Sequence, residues 1–304
     1  MGKRKLGKFE VYLISLLSIG LWGLSYIWSD RLLRLDIPVE YIIFVRAVIT
    51  ALLLFVMNVV TGASMKIRKK DFPMFMLLAA CEPLIYFLCE TYGIKLTESP
   101  TYSALIISTN PIVAFVAGML FFGEKINLTN VVGVVVCVFG IGMFTMGKSS
   151  MGPDFIWGVI LLVVAVVAEV GQASFTKALS DRTYSPMVIV MYQFVFGAAF
   201  LFPVFLASGL KGYDPLVYNS WDAWSSIICL ALFCSTLAFS LWVTSIKYLG
   251  VAKSSIFQAM IPVVTALANL VLNRTNLTVI QWAGIGVAVL GVILSQSFCE
   301  AKKA

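Results

Sequence analysis

Three carboxylic acids and one arginine stand inside long apolar runs of this 304-residue chain, and these are the groups that can do chemistry. Glu82, Tyr86 and Glu90 fall at i, i+4 and i+8, a spacing that lines all three along one face of a helix. Pro83 removes a backbone donor beside Glu82 and frees a carbonyl, so a kink and a water-facing position are expected there. Glu169 and Gln172 sit one turn apart in a later apolar run, and Arg46 interrupts an earlier one. At the centre of a membrane helix such a charge costs roughly 2.5–3.5 kcal/mol on insertion scales, so it seldom faces lipid. Glu82 is read as a contact for a substrate amine or as the carrier of a coupling proton. The bland reading is a packed, protonated or paired glutamate.

The remaining candidates are weighed the same way. Glu90 and Arg46 fall at depths within about a turn of each other, counting ~1.5 Å per residue. They are read as an ion pair that is either structural or a gate. Glu169 is a second cavity carboxylate or a partner for Lys177. Pro111 and Pro262 bend their helices at matching depth, as hinges or as static kinks, with Pro83 as a third candidate hinge. Ser108, Thr109 and Asn110 can take up the freed backbone group, and Gln258 lies one turn before Pro262. Aromatics near segment ends normally belong to the interfacial belt, the reading given to Trp157, Trp221, Trp224 and Trp282. Trp22 and Trp242 lie deeper and are read as cavity walls, with Ser25 and Tyr26 beside the first.

The elements that hold these groups are legible in the bulk numbers. The chain is 60% hydrophobic and 12% charged, against about 25% charged in an average soluble domain. Uncharged runs at 11–29 and 128–147 reach the ~20 residues a helix needs to cross ~30 Å of hydrocarbon. An all-α integral membrane protein is expected, with ten spans at 11–29, 38–61, 71–94, 99–122, 128–147, 155–176, 185–208, 223–246, 252–272 and 279–298. The basic start resembles a signal peptide, but its apolar part is too long and lacks a small-residue cleavage site, so an uncleaved anchor is expected. Of the 22 lysines and arginines, fifteen fall on one side of the expected spans, six on the other, and Arg46 within one. By the positive-inside rule both termini are cytoplasmic. The same clustering makes the net charge of +7 a topology signal and excludes nucleic acid as the partner; the bilayer is the expected one.

Six cysteines lie inside or at the end of apolar segments with no CxxC pair, and are read as packing residues rather than disulfides or metal ligands. There is no histidine, so proton chemistry falls to carboxylates, and neither a metal nor another cofactor is expected.

The stretch 94–140 occurs twice. An offset of 151 residues pairs Ser103 with Ser254, Pro111 with Pro262, Val113 with Val264, Ala117 with Ala268, Gly133 with Gly284, and Gly140 with Gly291. Each copy reads as two apolar helices joined by a short polar loop, at 123–127 and at 273–278. Ten spans divide into two fives, with repeats at 1–148 and 153–304. Five is odd, so the second half enters the membrane from the opposite side, the inverted repeat of many secondary carriers. The glycines at 133/140 and 284/291 are expected to permit close helix packing.

At this point the chain resembles the drug/metabolite transporter superfamily, EamA-like branch. The likeness rests on Gly20-Leu21-Trp22-Gly23 with Ser25, on Phe44-Val45-Arg46, and on Ser108-Thr109-Asn110-Pro111 through Phe122-Gly123-Glu124, followed by Gly133 and Gly140. The resemblance implies two five-helix repeats and a central cavity lined by helices 1, 3, 4, 6, 8 and 9. It implies transport of amino acids, metabolites or drugs, often outward. The second copy departs from the pattern: Asn273-Arg274-Thr275 stands opposite Gly123-Glu124, and Gln193 lies near the place Arg46 holds in the first.

Residues 142–149 satisfy the GxxxxGK[ST] phosphate-loop pattern, but that motif needs a strand before it and a helix after it, and here it ends an apolar run. Asn127 and Asn276 match glycosylation acceptors, the first on the expected cytoplasmic side. The function expected is a secondary carrier in the plasma (inner) membrane, exporting a small polar or amphipathic solute such as an amino acid or amine, with protons as a candidate coupling ion. A passive channel is the alternative. An enzyme ranks last, for want of a nucleophile–base constellation.

Overall fold

A computed structural model describes residues 7–113, 128–147, 152–182, 184–208, 210, 214–272 and 276–296. Readings that fall on Ala117, on the loop 123–127, on Lys148 and Ser149, on 273–275, and on the fourth apolar segment beyond Val113 lie outside the described residues.

The regular elements among the described residues are helices. They run α1 Lys8–Arg34, α2 Val39–Val60, α3 Lys69–Thr97, α4 Pro100–Ile107, α5 Leu128–Met146, α6 Phe155–Ser180, α7 Pro186–Ser208, α8 Trp221–Leu249, α9 Lys253–Leu272 and α10 Val279–Gln296. After a turn at Ser108 and Thr109, α4 resumes and is described as far as Val113. Eight of the ten are long and apolar enough to cross a membrane, and α10 is a shorter apolar helix. Exposed apolar side chains such as Leu52, Phe55, Val135 and Phe139 make a surface suited to lipid rather than water. Trp221 and Trp157 are exposed at the starts of α8 and α6, where interfacial aromatics belong.

Local chemistry sets the ends. The side chain of Ser99 accepts from the backbone N–H of Tyr102 (3.2 Å), capping α4 ahead of Pro100 in its first turn. Ser220 caps α8 in the same way through Ala223. Gly250, at φ 81, separates α8 from α9, in a backbone region that glycine enters without strain.

Helices of one half pack on helices of the other in pairs. A Cβ on Gly133 would collide with the backbone of Gly291 and Ser295, and one on Gly140 with Gly284 and Ala288. The ascending numbers of α5 meet the descending numbers of α10, so these two equivalent helices run antiparallel at backbone contact. The side chains of Ser15 and Ser245, 2.6 Å apart, join α1 to α8. Gly93 and Gly158 admit α6 against α3. Stacking of Phe44 on Phe205 (4.5 Å) joins α2 to α7. Exchanging each helix for its counterpart five along returns the same set of pairs.

The two third helices share a departure from α geometry. Ala80–Ile85 in α3 and Leu230–Leu237 in α8 widen into π-helical turns at corresponding positions, a distortion that favours functional sites. In α3 the break falls at Glu82, whose backbone is extended (φ −150, ψ 126), followed by a cis bond to Pro83.

Candidate functional site

The broken middle of α3 faces the centre of the bundle. Glu82, Tyr86, Phe87 and Glu90 of α3 meet Trp22, Ser25 and Tyr26 of α1, Arg46 of α2, Glu169 of α6, Phe239 of α8 and Ile261 of α9 around one cavity. The free space inside is ≈ 20 Å³, about room for one water. Any solute larger than water therefore requires the walls to separate.

Each charged group in the wall is held differently. Arg46 donates from Nε to Ser235 Oγ (2.5 Å) on the widened turn of α8, and its guanidinium lies 4.0 Å from the centre of the Phe87 ring, a cation–π contact. Glu90 accepts from the Tyr86 hydroxyl at 3.0 Å. Glu169 accepts from the Gln258 amide of α9 and lies within hydrogen-bonding reach of Asn110 on α4. The two proline-broken helices thus both place an amide on one carboxylate of α6. Glu82 is 3% exposed, and among the described residues no hydrogen bond or ion pair reaches its carboxylate. Glu169 Oε2, Gln258 Oε1 and the Tyr26 hydroxyl are also buried without a hydrogen-bond partner. The Tyr26 hydroxyl sits beside Tyr86 and Glu90. Three carboxylates and one guanidinium share the space. If all ionise, two negative charges stand uncompensated in a low-dielectric interior. A cation or protons would neutralise them.

The apolar part of the wall is equally ordered. Trp22 donates from Nε1 to the Cys234 carbonyl (3.1 Å) and packs on Phe239 at 5.0 Å and on Trp242 at 5.2 Å. Trp242 stands behind Trp22 as support rather than in the cavity lining.

Two further expectations need correction. Arg46 and Glu90 share the cavity but form no ion pair, because Ser235 and Phe87 hold the one while Tyr86, a turn away, holds the other. Gln172 is turned away from the cavity and donates to Gln193 Oε1 of α7 at 3.4 Å. Of the two readings of Glu169, the cavity one holds, since Glu169 lines the cavity while Lys177 pairs with Asp181 at 2.6 Å. Phe87, Phe239 and Ile261 escaped the sequence reading, since an apolar residue in an apolar helix carries no signal of which way it faces.

A wider hollow of ≈ 280 Å³ opens where α1 and α3 end, lined by Asp30, Leu33, Arg34, Ile94, Lys95 and Glu98. Asp30 and Ile94 lie one turn beyond Tyr26 and Glu90, so this charged vestibule sits directly past one end of the cavity.

Comparison with known proteins extends this geometry. The uncharacterized transporter YetK of Bacillus subtilis is 26% identical over 75% of this chain and 69% of its own length. An uncharacterized transporter of Archaeoglobus fulgidus is 25% identical over 93% of this chain and 97% of its own. One solved crystal structure shares the fold with a TM-score of 0.70, at 15% identity, over 95% of this chain and 96% of that one. The sequence pattern of the EamA-like transporter family matches twice, over residues 10–146 and 156–296. With a multi-pass helical bundle built from two such copies around a polar cavity, the chain belongs to the EamA-like transporter family.

Proposed function

We propose that this protein is a secondary carrier that moves a small cationic or zwitterionic solute, an amino acid or amine, outward across the plasma (inner) membrane by alternating access. The observation that carries this reading is Glu82: a carboxylate 3% exposed, on a helix break, facing a cavity that holds two more acids and one arginine. Such a group is expensive inside a membrane and is kept where it binds or carries charge. The repeats, 1–148 and 153–304, are set in opposite orientation, with both termini cytoplasmic. Antiparallel packing of α5 on α10 through Gly133, Gly140, Gly284 and Gly291 supports that arrangement.

Glu82, Glu90 and Glu169 receive the solute's ammonium group or its competing protons, and Arg46 receives a carboxylate where the solute has one. Trp22, Tyr26 and Tyr86 provide the walls, Ser25 a hydroxyl, and Asn110 and Gln258 hold Glu169. Pro83, Pro111 and Pro262 are the flexing points. Protons are the coupling ion.

Free space of ≈ 20 Å³ lets no organic solute through unless the walls move, which favours a carrier over a channel. Reconstituted vesicles offered labelled amino acids and amines test the distinction. The carrier reading expects saturable uptake that accelerates when the same solute is preloaded on the far side. Flux that neither saturates nor responds to preloading would sink it in favour of a pore.

A further inference from the structure

The 151-residue offset reaches further than the repeated stretch that reveals it. It also pairs Arg31 with Arg182 and Asp71 with Asp222. The structure joins these four residues crosswise. Arg182, just past the end of α6, bonds Asp71 at the start of α3. Arg31, in the last turn of α1, bonds Asp222 at the start of α8 at 2.5 Å. Each pair ties the end of the first helix of one half to the start of the third helix of the other. Arg31 stands where α1 ends beside the end of α3 at the charged vestibule, whereas Asp71 stands at the start of α3, so the two pairs lie beyond opposite ends of the cavity.

We propose that these ion pairs are the latches of the two mouths, one closing each side of the carrier. This rests on the two-mouthed reading given above. The structure has both ion pairs made and free space of only ≈ 20 Å³ in the cavity, too little for an organic solute until one side opens. Opening either mouth separates the first helix of one half from the third of the other, and so breaks one pair while its counterpart holds.

The two latches are unequal. The Asp71 side chain is 0% exposed and that of Arg182 39%, whereas Arg31 and Asp222 are 50% and 56% exposed. Tyr184 adds a second bond, donating to Asp71 Oδ2 at 2.8 Å while accepting from the Arg68 backbone at 3.1 Å. Burial, together with the adjacent Asp71, pushes the Tyr184 phenol above its ordinary range, so it stays a donor. Phe75 packs edge-on against the Tyr184 ring at 5.3 Å. The pair at Asp222 is solvated and open to screening by salt. The Arg31 mouth is therefore the one that opens more readily.

Hydrogen–deuterium exchange of the full chain in nanodiscs, with no solute present, tests this. Asp71→Asn is expected to speed exchange about tenfold around residues 71 and 182, with residues around 31 and 222 unchanged. Asp222→Asn does the reverse. Arg182→Gln, altering the half-exposed partner, repeats the first pattern and keeps the test decisive if Asp71→Asn fails to fold. In the unmodified protein, raising salt from about 0.05 to 0.5 M speeds exchange at the Arg31 mouth alone. Faster exchange at both mouths from either substitution, or at neither, overturns the latch assignment, and equal salt sensitivity overturns the inequality. No transported solute enters the measurement, so a failed solute assay and a failed latch are told apart.

Discussion

In the proposed mechanism Glu82 is the residue on which the chemistry turns. Its neighbours are each answered: Glu90 by Tyr86, Glu169 by Gln258, Arg46 by Ser235 and Phe87. A carboxylate this buried and left without a partner is either neutral or neutralised by a cation. If it carries the coupling proton, Glu82→Gln abolishes the pH dependence of uptake into vesicles while leaving the fold intact, since glutamine keeps the shape. PH dependence unchanged in that variant would remove the role. The acids and the arginine were legible in the sequence because charge inside an apolar run is costly and therefore conspicuous. Tyr86 beside Glu90 followed from their spacing, but Ser235, Phe87 and Gln258 as partners did not. Counting residues gives the height of Arg46 and Glu90 along their helices but not the direction each faces, and direction is what sends one to Ser235 and the other to Tyr86. Gln172 shows the same limit, because three residues along a helix rotate a side chain about 60° from Glu169.

At the scale of elements, the glycines of α5 and α10 set how closely the two halves approach. Gly140→Ile would drive a branched side chain into the backbone of Gly284 and Ala288, at a cost of about 1–3 kcal/mol from overpacking. A lowered apparent melting temperature in detergent is the expected readout. Gly142→Ala is the control on the same helix, because nothing stands within 4 Å of a Cβ there, and its melting temperature should not fall. If both variants melt alike, the close approach is not what those glycines are for. This packing could be read from sequence, since the seven-residue spacing of the glycines survives in both copies. The widened turns at Ala80–Ile85 and Leu230–Leu237 could not, apart from the hint given by Pro83. A π-helical turn shifts the register of a helix without changing its composition, and composition is what a uniformly apolar segment offers.

The whole molecule is two five-helix repeats packed crosswise, and the account of transport needs them opposed in the membrane. Reporter fusions at the N-terminus and after Gly147 should report opposite faces of the bilayer; a common face would dismantle the two-mouthed scheme. The repeat made the two-fold plan readable from sequence, because duplication is written in residue types. The crosswise ion pairs were hidden. Arg31 and Arg182 read as ordinary loop charges until the fold brings them to Asp222 and Asp71. The central claim is that the acid-lined cavity receives a cationic or zwitterionic solute. Thermal unfolding of the purified protein against a panel of amino acids and amines tests it most directly, because a ligand that binds the folded state raises its apparent stability. The account predicts that at least one solute bearing an ammonium group stabilises the unmodified protein by several degrees and that Glu82→Gln loses most of that gain. Stabilisation by anionic solutes alone, or an equal response in the Glu82→Gln protein, would contradict it.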